Sequence, residues 1–238
     1  MDYDFIITGA GSAGCVLAER LSANGRFRVL EAGGSDLRFF VNIPLGYGKL
    51  FFDPKVNWMY QAEPDPGLAG NVDHWPRGKI LGGSSSINAM VYIRGHKKDY
   101  AEWEAAGNPG WGWRNVVQAY SAMEDTQAGG DDWRGKGGPL FVSANRRDLH
   151  PLVESYIAAA EANGLKRNVD FNGAEQEGVG TDQLTVKGGL RNSAARAFRR
   201  PAMKRANVTV VTGALVTRVL FEGRRVVGVE YRRKGKLC

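Results

Sequence analysis

Asp4-Phe5-Ile6-Ile7-Thr8-Gly9-Ala10-Gly11-Ser12-Ala13-Gly14 is a short apolar run that ends in Gly-x-Gly-x-x-Gly. The residues after it recur at helical spacing: Val16, Leu17 and Leu21, with Ala13, Ala18 and Ala23 between them. Strand, glycine turn, helix is the context in which this motif holds a dinucleotide. Gly9 permits the tight turn. Gly11 lets a pyrophosphate come up to the backbone, and Gly14 lets the helix pack close on the strand. The N–H groups at the helix start, at Ser12 and Ala13, have no intrahelical partner and face the phosphates with the helix dipole behind them.

Phe27-Arg28-Val29-Leu30 reads as a second short strand, ending at Glu31. An acidic residue about 20 positions beyond the glycine turn accepts hydrogen bonds from ribose hydroxyls and repels a 2′-phosphate. The adenosine is therefore expected to be unphosphorylated at that position, as in FAD or NAD. Gly33-Gly34 turns the chain away from the strand.

The chain has 238 residues, of which 43% are hydrophobic and 24% charged. These are the proportions of a soluble globular protein of one or two domains. No apolar run approaches the roughly 18 residues of a membrane span. No basic-then-apolar leader precedes the first strand. Cys15 and Cys238 are too few for a disulfide framework, which fits a reducing cytoplasm, with peripheral membrane association left open. The net charge of +7 gathers late, from Arg191 to Lys236. No basic stripe interleaved with aromatics accompanies it, so it reads as solvated surface or as local attraction for an anionic cofactor, with no nucleic-acid partner.

Residues 35 to 75 mix aromatics with turn residues, an irregular excursion on a scaffold. Then comes Gly78-Lys79-Ile80-Leu81-Gly82-Gly83-Ser84-Ser85-Ser86-Ile87-Asn88-Ala89-Met90-Val91-Tyr92-Ile93-Arg94-Gly95. This stretch resembles the first signature of the glucose–methanol–choline (GMC) family of FAD-dependent oxidoreductases. The resemblance continues through Trp103, Pro109-Gly110-Trp111, Asp170-Phe171-Asn172-Gly173 and Arg191-Asn192-Ser193-Ala194-Ala195-Arg196-Ala197-Phe198, in a style close to bacterial choline and alcohol dehydrogenases. It implies a Rossmann-like α/β FAD-binding domain over residues 1–139, the start of an inserted α+β substrate domain over 140–190, and a return to the FAD domain over 191–238.

The residues agree with it. Gly82-Gly83 offers a second close backbone approach, followed by hydroxyls and an amide. By resemblance Gly83, Ser84, Asn88, Ala89, Met90 and Val91 touch the flavin, the backbone of Val216 touches the adenine, and Ala32, Trp58, Arg77 and Gly82 complete the cofactor set. Ile87 stands where some relatives carry the histidine that bonds FAD covalently, so noncovalent FAD is expected. A nicotinamide-dependent Rossmann dehydrogenase keeps the first motif and leaves Gly82 to Asn88 unexplained.

Two departures stand out. The segment Arg26 to Glu31 is a couple of residues shorter than usual. At a fixed register this draws Glu31 back by ~6–7 Å, unless the loop Ser22 to Gly25 absorbs it. Second, the chain stops at Cys238, before the family's catalytic histidine, so no catalytic residue is assigned. His74, His96 and His150 read as surface or loop histidines. The expected activity is oxidation of a small alcohol or choline-like substrate, with the electron acceptor open and this chain alone inactive. No metal site is expected.

Further on, Asp99 to Ala122 reads as helix, break, helix, with Trp103, Trp111 and Trp113 as core anchors. Residues 127–138 read as an exposed loop, and Leu152 to Asn163 as a helix closed by Gly164. Val208 to Val211, Leu215 to Phe221 and Val226 to Tyr231 read as three closing strands, the last two a hairpin turned at Gly223.

Overall fold

The computed structural model describes residues 3–144 and 149–238. The chain forms two units, Met1–Ala89 with Gly189–Cys238, and Met90–Gly188.

The first unit is built on a parallel sheet of β1 (Phe5–Thr8), β2 (Phe27–Glu31) and β3 (Val208–Thr212), in the order β1-β2-β3. Phe27 pairs with both Phe5 and Val208, and Leu30 with both Thr8 and Val211. Central β2 buries Phe27, Val29, Leu30 and Glu31, the near-continuous burial that a strand flanked on both sides requires. β1 lies at the sheet's edge, with Phe5 and Ile6 exposed. Helix α1 (Ser12–Leu21) follows the glycine turn and buries Gly14, Cys15 and Ala18. A Cβ on Gly14 would lie 1.9 Å from the Gly9 carbonyl oxygen, so only glycine lets the helix sit at this distance. The strand–turn–helix–strand expected from the sequence is present.

The closing strands divide. β3 joins the parallel sheet, and Gly213, at φ +64°, turns the chain out of it. β4 (Ala214–Glu222) and β5 (Arg225–Arg233) form the expected antiparallel hairpin across Gly223, and Lys236–Leu237 adds a third strand to it. A π turn at Ala195–Arg199 packs on α1. Nearby, Arg199 and Arg200 both reach the buried carboxylate of Asp36 at 3.0 Å.

The second unit carries helices at Lys97–Ala105, Trp113–Met123 and Pro151–Ala162, close to expectation, and short strand pairs. Its interior is charged. Glu124, fully buried, accepts from Arg94 at one oxygen and from Arg134 at the other. Arg134 also reaches Asp170, and the Asn172 side-chain oxygen accepts from the Arg94 amide at 2.7 Å. The loop 127–138 is thus not wholly exposed, because Arg134 within it is a buried ion-pair partner. Trp103 and Trp111 correct a second expectation. They are 49% and 55% exposed and touch each other edge to face, with Trp103 also against the buried Tyr100. His96 and His150 cap the starts of two helices by accepting from the Lys98 and Leu152 amides.

The units divide at 89/90 and 188/189, whereas the resemblance placed functional boundaries at 139/140 and 190/191. The earlier break groups Lys97–Ala105 and Trp113–Met123 with the segment 170–188, to which Arg94 and Arg134 are bonded.

Gly14→Ala is expected to lower unfolding free energy by about 1–3 kcal/mol through overpacking. Gly48→Ala is the control: it sits in the short helix Tyr47–Leu50, and its Cβ would meet nothing within 4 Å. Urea midpoints compare the two. Glu124→Ala leaves the buried Arg94 without a carboxylate and Arg134 with Asp170 alone, and is expected to cost about 3–5 kcal/mol by the same measurement.

Candidate functional site

Three glycine-bearing strips of the first unit meet backbone to backbone. The Gly82 amide donates to the Ala10 carbonyl at 2.7 Å, tying the second loop to the first. A Cβ on Gly83, which has φ +55°, would lie 2.8 Å from Gly11 Cα. One on Gly78 would lie 2.2 Å from the Gly83 carbonyl group, and one on Gly33 2.0 Å from the Lys79 oxygen. The Leu81 amide donates to Gly34 at 3.0 Å. Side chains are excluded along this seam, which leaves amide and carbonyl groups facing a shared groove.

That groove has a volume of about 420 Å³ and is lined by Thr8, Gly9, Gly11, Leu30, Glu31, Ala32, Trp58, Gly78, Gly83 and Ala214 to Val216. Gly9, Gly11, Glu31, Ala32, Trp58, Gly83 and Val216, all singled out from the sequence, thus share one wall. Ser12, Ala13 and Gly14 form the first turn of α1, and no side chain caps its start. An uncapped helix start of this kind suits a phosphate. Gly82 and Ser84 flank Gly83, and the Ser84 hydroxyl accepts from the Gly78 amide at 3.1 Å. Arg77 is not in the wall. Its guanidinium donates to Pro76 O and lies over the Trp75 ring. Met90 and Val91 open the second unit, where Met90 O accepts from the Thr185 amide.

Thr8 and Gly78 line the groove and were not assigned from the sequence. Thr8 is the last residue of β1, and Gly78 heads the signature, so position in the motif carried the signal. Lys79 places its amine 4.6 Å from the Trp58 ring centre. With Lys55, Arg233 and Lys234 it also lines an adjoining groove of about 530 Å³ that shares Ala32 with the first.

Glu31 reaches the glycine turn despite the short second strand. Its Oε2 accepts from the Ala10 amide and its Oε1 from the Gly33 amide, each at 2.7 Å. The carboxylate therefore joins two of the three strips, and each oxygen keeps acceptor capacity for a hydroxyl. Burial raises its pKa above the ordinary 4.5, against the opposing pull of the Gly33 and Ala10 amides. The Cys15 thiol, pushed up to about 12 by burial, donates to Ala10 O and stays protonated. Among the described residues no cluster of His, Cys, Asp and Glu is arranged for a metal. His74 bonds Phe51 O at 3.0 Å and stacks on Phe52.

A cofactor with a diphosphate and an unphosphorylated ribose fits these residues. The glycine seam leaves room at the backbone, the α1 start supplies donors, and Glu31 supplies acceptors at one end.

A family model described as GMC oxidoreductase matches residues 3–237. The sequence is 48% identical over 235 residues to alcohol dehydrogenase (acceptor) of Pseudomonas putida, covering 98% of this chain and 42% of that protein. Among solved structures, pyridoxine 4-oxidase from Mesorbium loti has a TM-score of 0.95 at 35% identity, covering 100% of this chain and 47% of that one. An FAD-dependent oxidoreductase from Chaetomium thermophilum has a TM-score of 0.88 at 29% identity, covering 100% and 43%. The chain spans less than half the length of the relatives it matches.

Glu31→Gln turns an amide NH₂ toward one backbone donor and is expected to cost about 1–3 kcal/mol at low pH. Because folding raises the Glu31 pKa, the folded protein holds the proton more tightly than the unfolded chain. Wild-type stability should therefore fall as pH rises from 4.5 through the folded pKa, relative to Glu31→Gln, which lacks the titration. Urea midpoints of both proteins across that range check the sign; a difference that is flat or grows with pH contradicts it.

Proposed function

This chain belongs to the GMC oxidoreductase family, and from that premise we propose that it binds FAD noncovalently in the groove of its first unit, as the cofactor-binding portion of an alcohol oxidoreductase. The contact between Gly11 and Gly83 carries this reading: the two loops that the sequence marks for one cofactor abut and line the same groove. In this reading Glu31 and the Val216 backbone hold the adenosine, with Ala32 between the two grooves. Gly9, Gly11, Ser12, Ala13 and Gly14 take the diphosphate with Gly82 and Gly83. Ser84, Asn88 and Ala89 serve the flavin end. Trp58 and Arg77 flank the groove region, Trp58 within its wall.

When bound, FAD supplies the acceptor for a hydride from a CH–OH carbon. The chain's own share is binding and orientation. Ile87 has no nucleophile and lies buried in a cluster with Val41, Leu50, Val56 and Ile80, which favours noncovalent attachment. Alcohol oxidation also needs a base for the hydroxyl proton, worth about 10²–10⁴-fold. His74, His96 and His150 are each engaged in a turn or a helix cap. The substrate of the whole protein is a primary or secondary alcohol, choline-like compounds included. The location is cytoplasmic in this reading, and among the described residues no helix is long and apolar enough to cross a membrane.

Titration calorimetry should give saturable binding of FAD and none of NAD at the same concentrations. Acid precipitation should leave the yellow flavin in the supernatant; colour retained by the pellet contradicts noncovalent binding. The flavin-loaded chain should not reduce a dye at the expense of alcohol, and turnover would place the base within these residues.

A further inference from the structure

Among the described residues Arg191 is a buried cation without a counter-ion. It is 2% exposed. Its Nε donates to Val41 O at 2.8 Å, and its Nη1 faces Ser85 O at 3.2 Å, Asn88 O at 2.7 Å and Asn88 Oδ1 at 2.8 Å. Its Nη2 has no partner among the described residues. The protein's other buried arginines differ: Arg199 pairs with Asp36, and Arg94 and Arg134 pair with Glu124. Burial alone pulls the Arg191 pKa down to about 10, still well above neutrality, so the charge persists.

An uncompensated buried charge costs several kcal/mol, and carbonyl dipoles offset only part of it. The acceptors chosen are telling. Three of the four lie on the turn Gly83–Ser86, which begins at the glycine against Gly11, or two residues beyond it, at Ser85 and Asn88. The same turn is stitched to the Arg191 segment a second time, by the Ala194 amide donating to Ser85 Oγ at 3.0 Å. Resting on the FAD reading above, we propose that Arg191 is a positioning residue for the cofactor: its guanidinium locks the turn Ser84 to Asn88, and its unpaired charge favours the reduced cofactor over the oxidised one. Accepting a hydride, two electrons and one proton, converts the neutral flavin ring into an anion. A fixed positive charge in a low-dielectric interior stabilises that product more than the neutral reactant.

The test compares the full chain with Arg191→Met and Arg191→Lys, each checked for folding by circular dichroism. Hydrogen exchange without cofactor reads the lock. Met should speed exchange of the Ile87 and Asn88 amides at least tenfold, and Lys should speed it less, since an ammonium lacks the planar fork. FAD titrations and the midpoint potential of the bound flavin read the charge. Met should lower the preference for reduced over oxidised FAD about tenfold, about 30 mV for a two-electron couple, while Lys should restore the wild-type potential. Unchanged exchange in Met overturns the lock. An unchanged potential in Met, or a Lys potential as low as that of Met, overturns the charge role. Should Met fail to fold, Lys against wild type decides: faster exchange with equal potential supports both roles, and equal exchange or a lowered potential removes one. A wild-type chain that binds no FAD defeats the functional reading and with it the charge role, while the exchange comparison still decides the lock.

Discussion

Backbone meeting backbone at Gly11 and Gly83 is the constraint from which the rest of the first unit follows. A side chain at Gly83 would push apart two loops that a hydrogen bond from Gly82 to Ala10 holds together. The same requirement repeats at Gly33 and Gly78, so the glycine seam beside the groove presents peptide groups, while Leu30, Glu31, Trp58 and Val216 add side chains to the wall. Such a seam presents fixed donors and acceptors without rotamer entropy, which suits a long, polar, flexible ligand. Glu31 completes it by accepting from two of the strips at once, which makes a ribose-binding candidate also part of the frame.

Much of this was legible in the sequence because glycine patterns and strand periodicity are local signals. The turn at Gly9 to Gly14, the acidic end of β2 and the hairpin at Gly223 all appear where the residues place them. The short second strand does not carry Glu31 away from the glycine turn. The pairing of Phe27 with Phe5 lets β2 start level with β1, so Glu31 arrives beside Ala10. What a linear reading could not supply was pairing across long separations. Arg134 sits in a Gly- and Asp-rich loop and looks solvated, yet it is buried because Glu124 and Asp170 come to it from elsewhere in the chain. Trp103 and Trp111 failed for the converse reason. Aromatic character suggests burial, but both rings sit at the surface, where Trp103 packs edge to face on Trp111 and on the buried Tyr100.

The two units solve burial differently. In the first, β2 and the cluster of Val41, Leu50, Val56, Ile80 and Ile87 form an apolar interior. In the second, the buried Glu124 is paired with Arg94 and Arg134, and Arg134 with Asp170, which gives less tolerance to loss of one partner than apolar packing does. Histidine follows the same structural logic. Two of the three are spent on holding helix starts, where a ring nitrogen does the work more often left to serine or aspartate.

One edge of the parallel sheet has a practical consequence. Among the described residues β1 has a neighbour on one side only, and neither lysine nor proline interrupts Phe5 to Thr8. An open apolar border of this kind is a template for joining like to like. Association through that border would be bimolecular, so its initial rate should rise with the square of protein concentration.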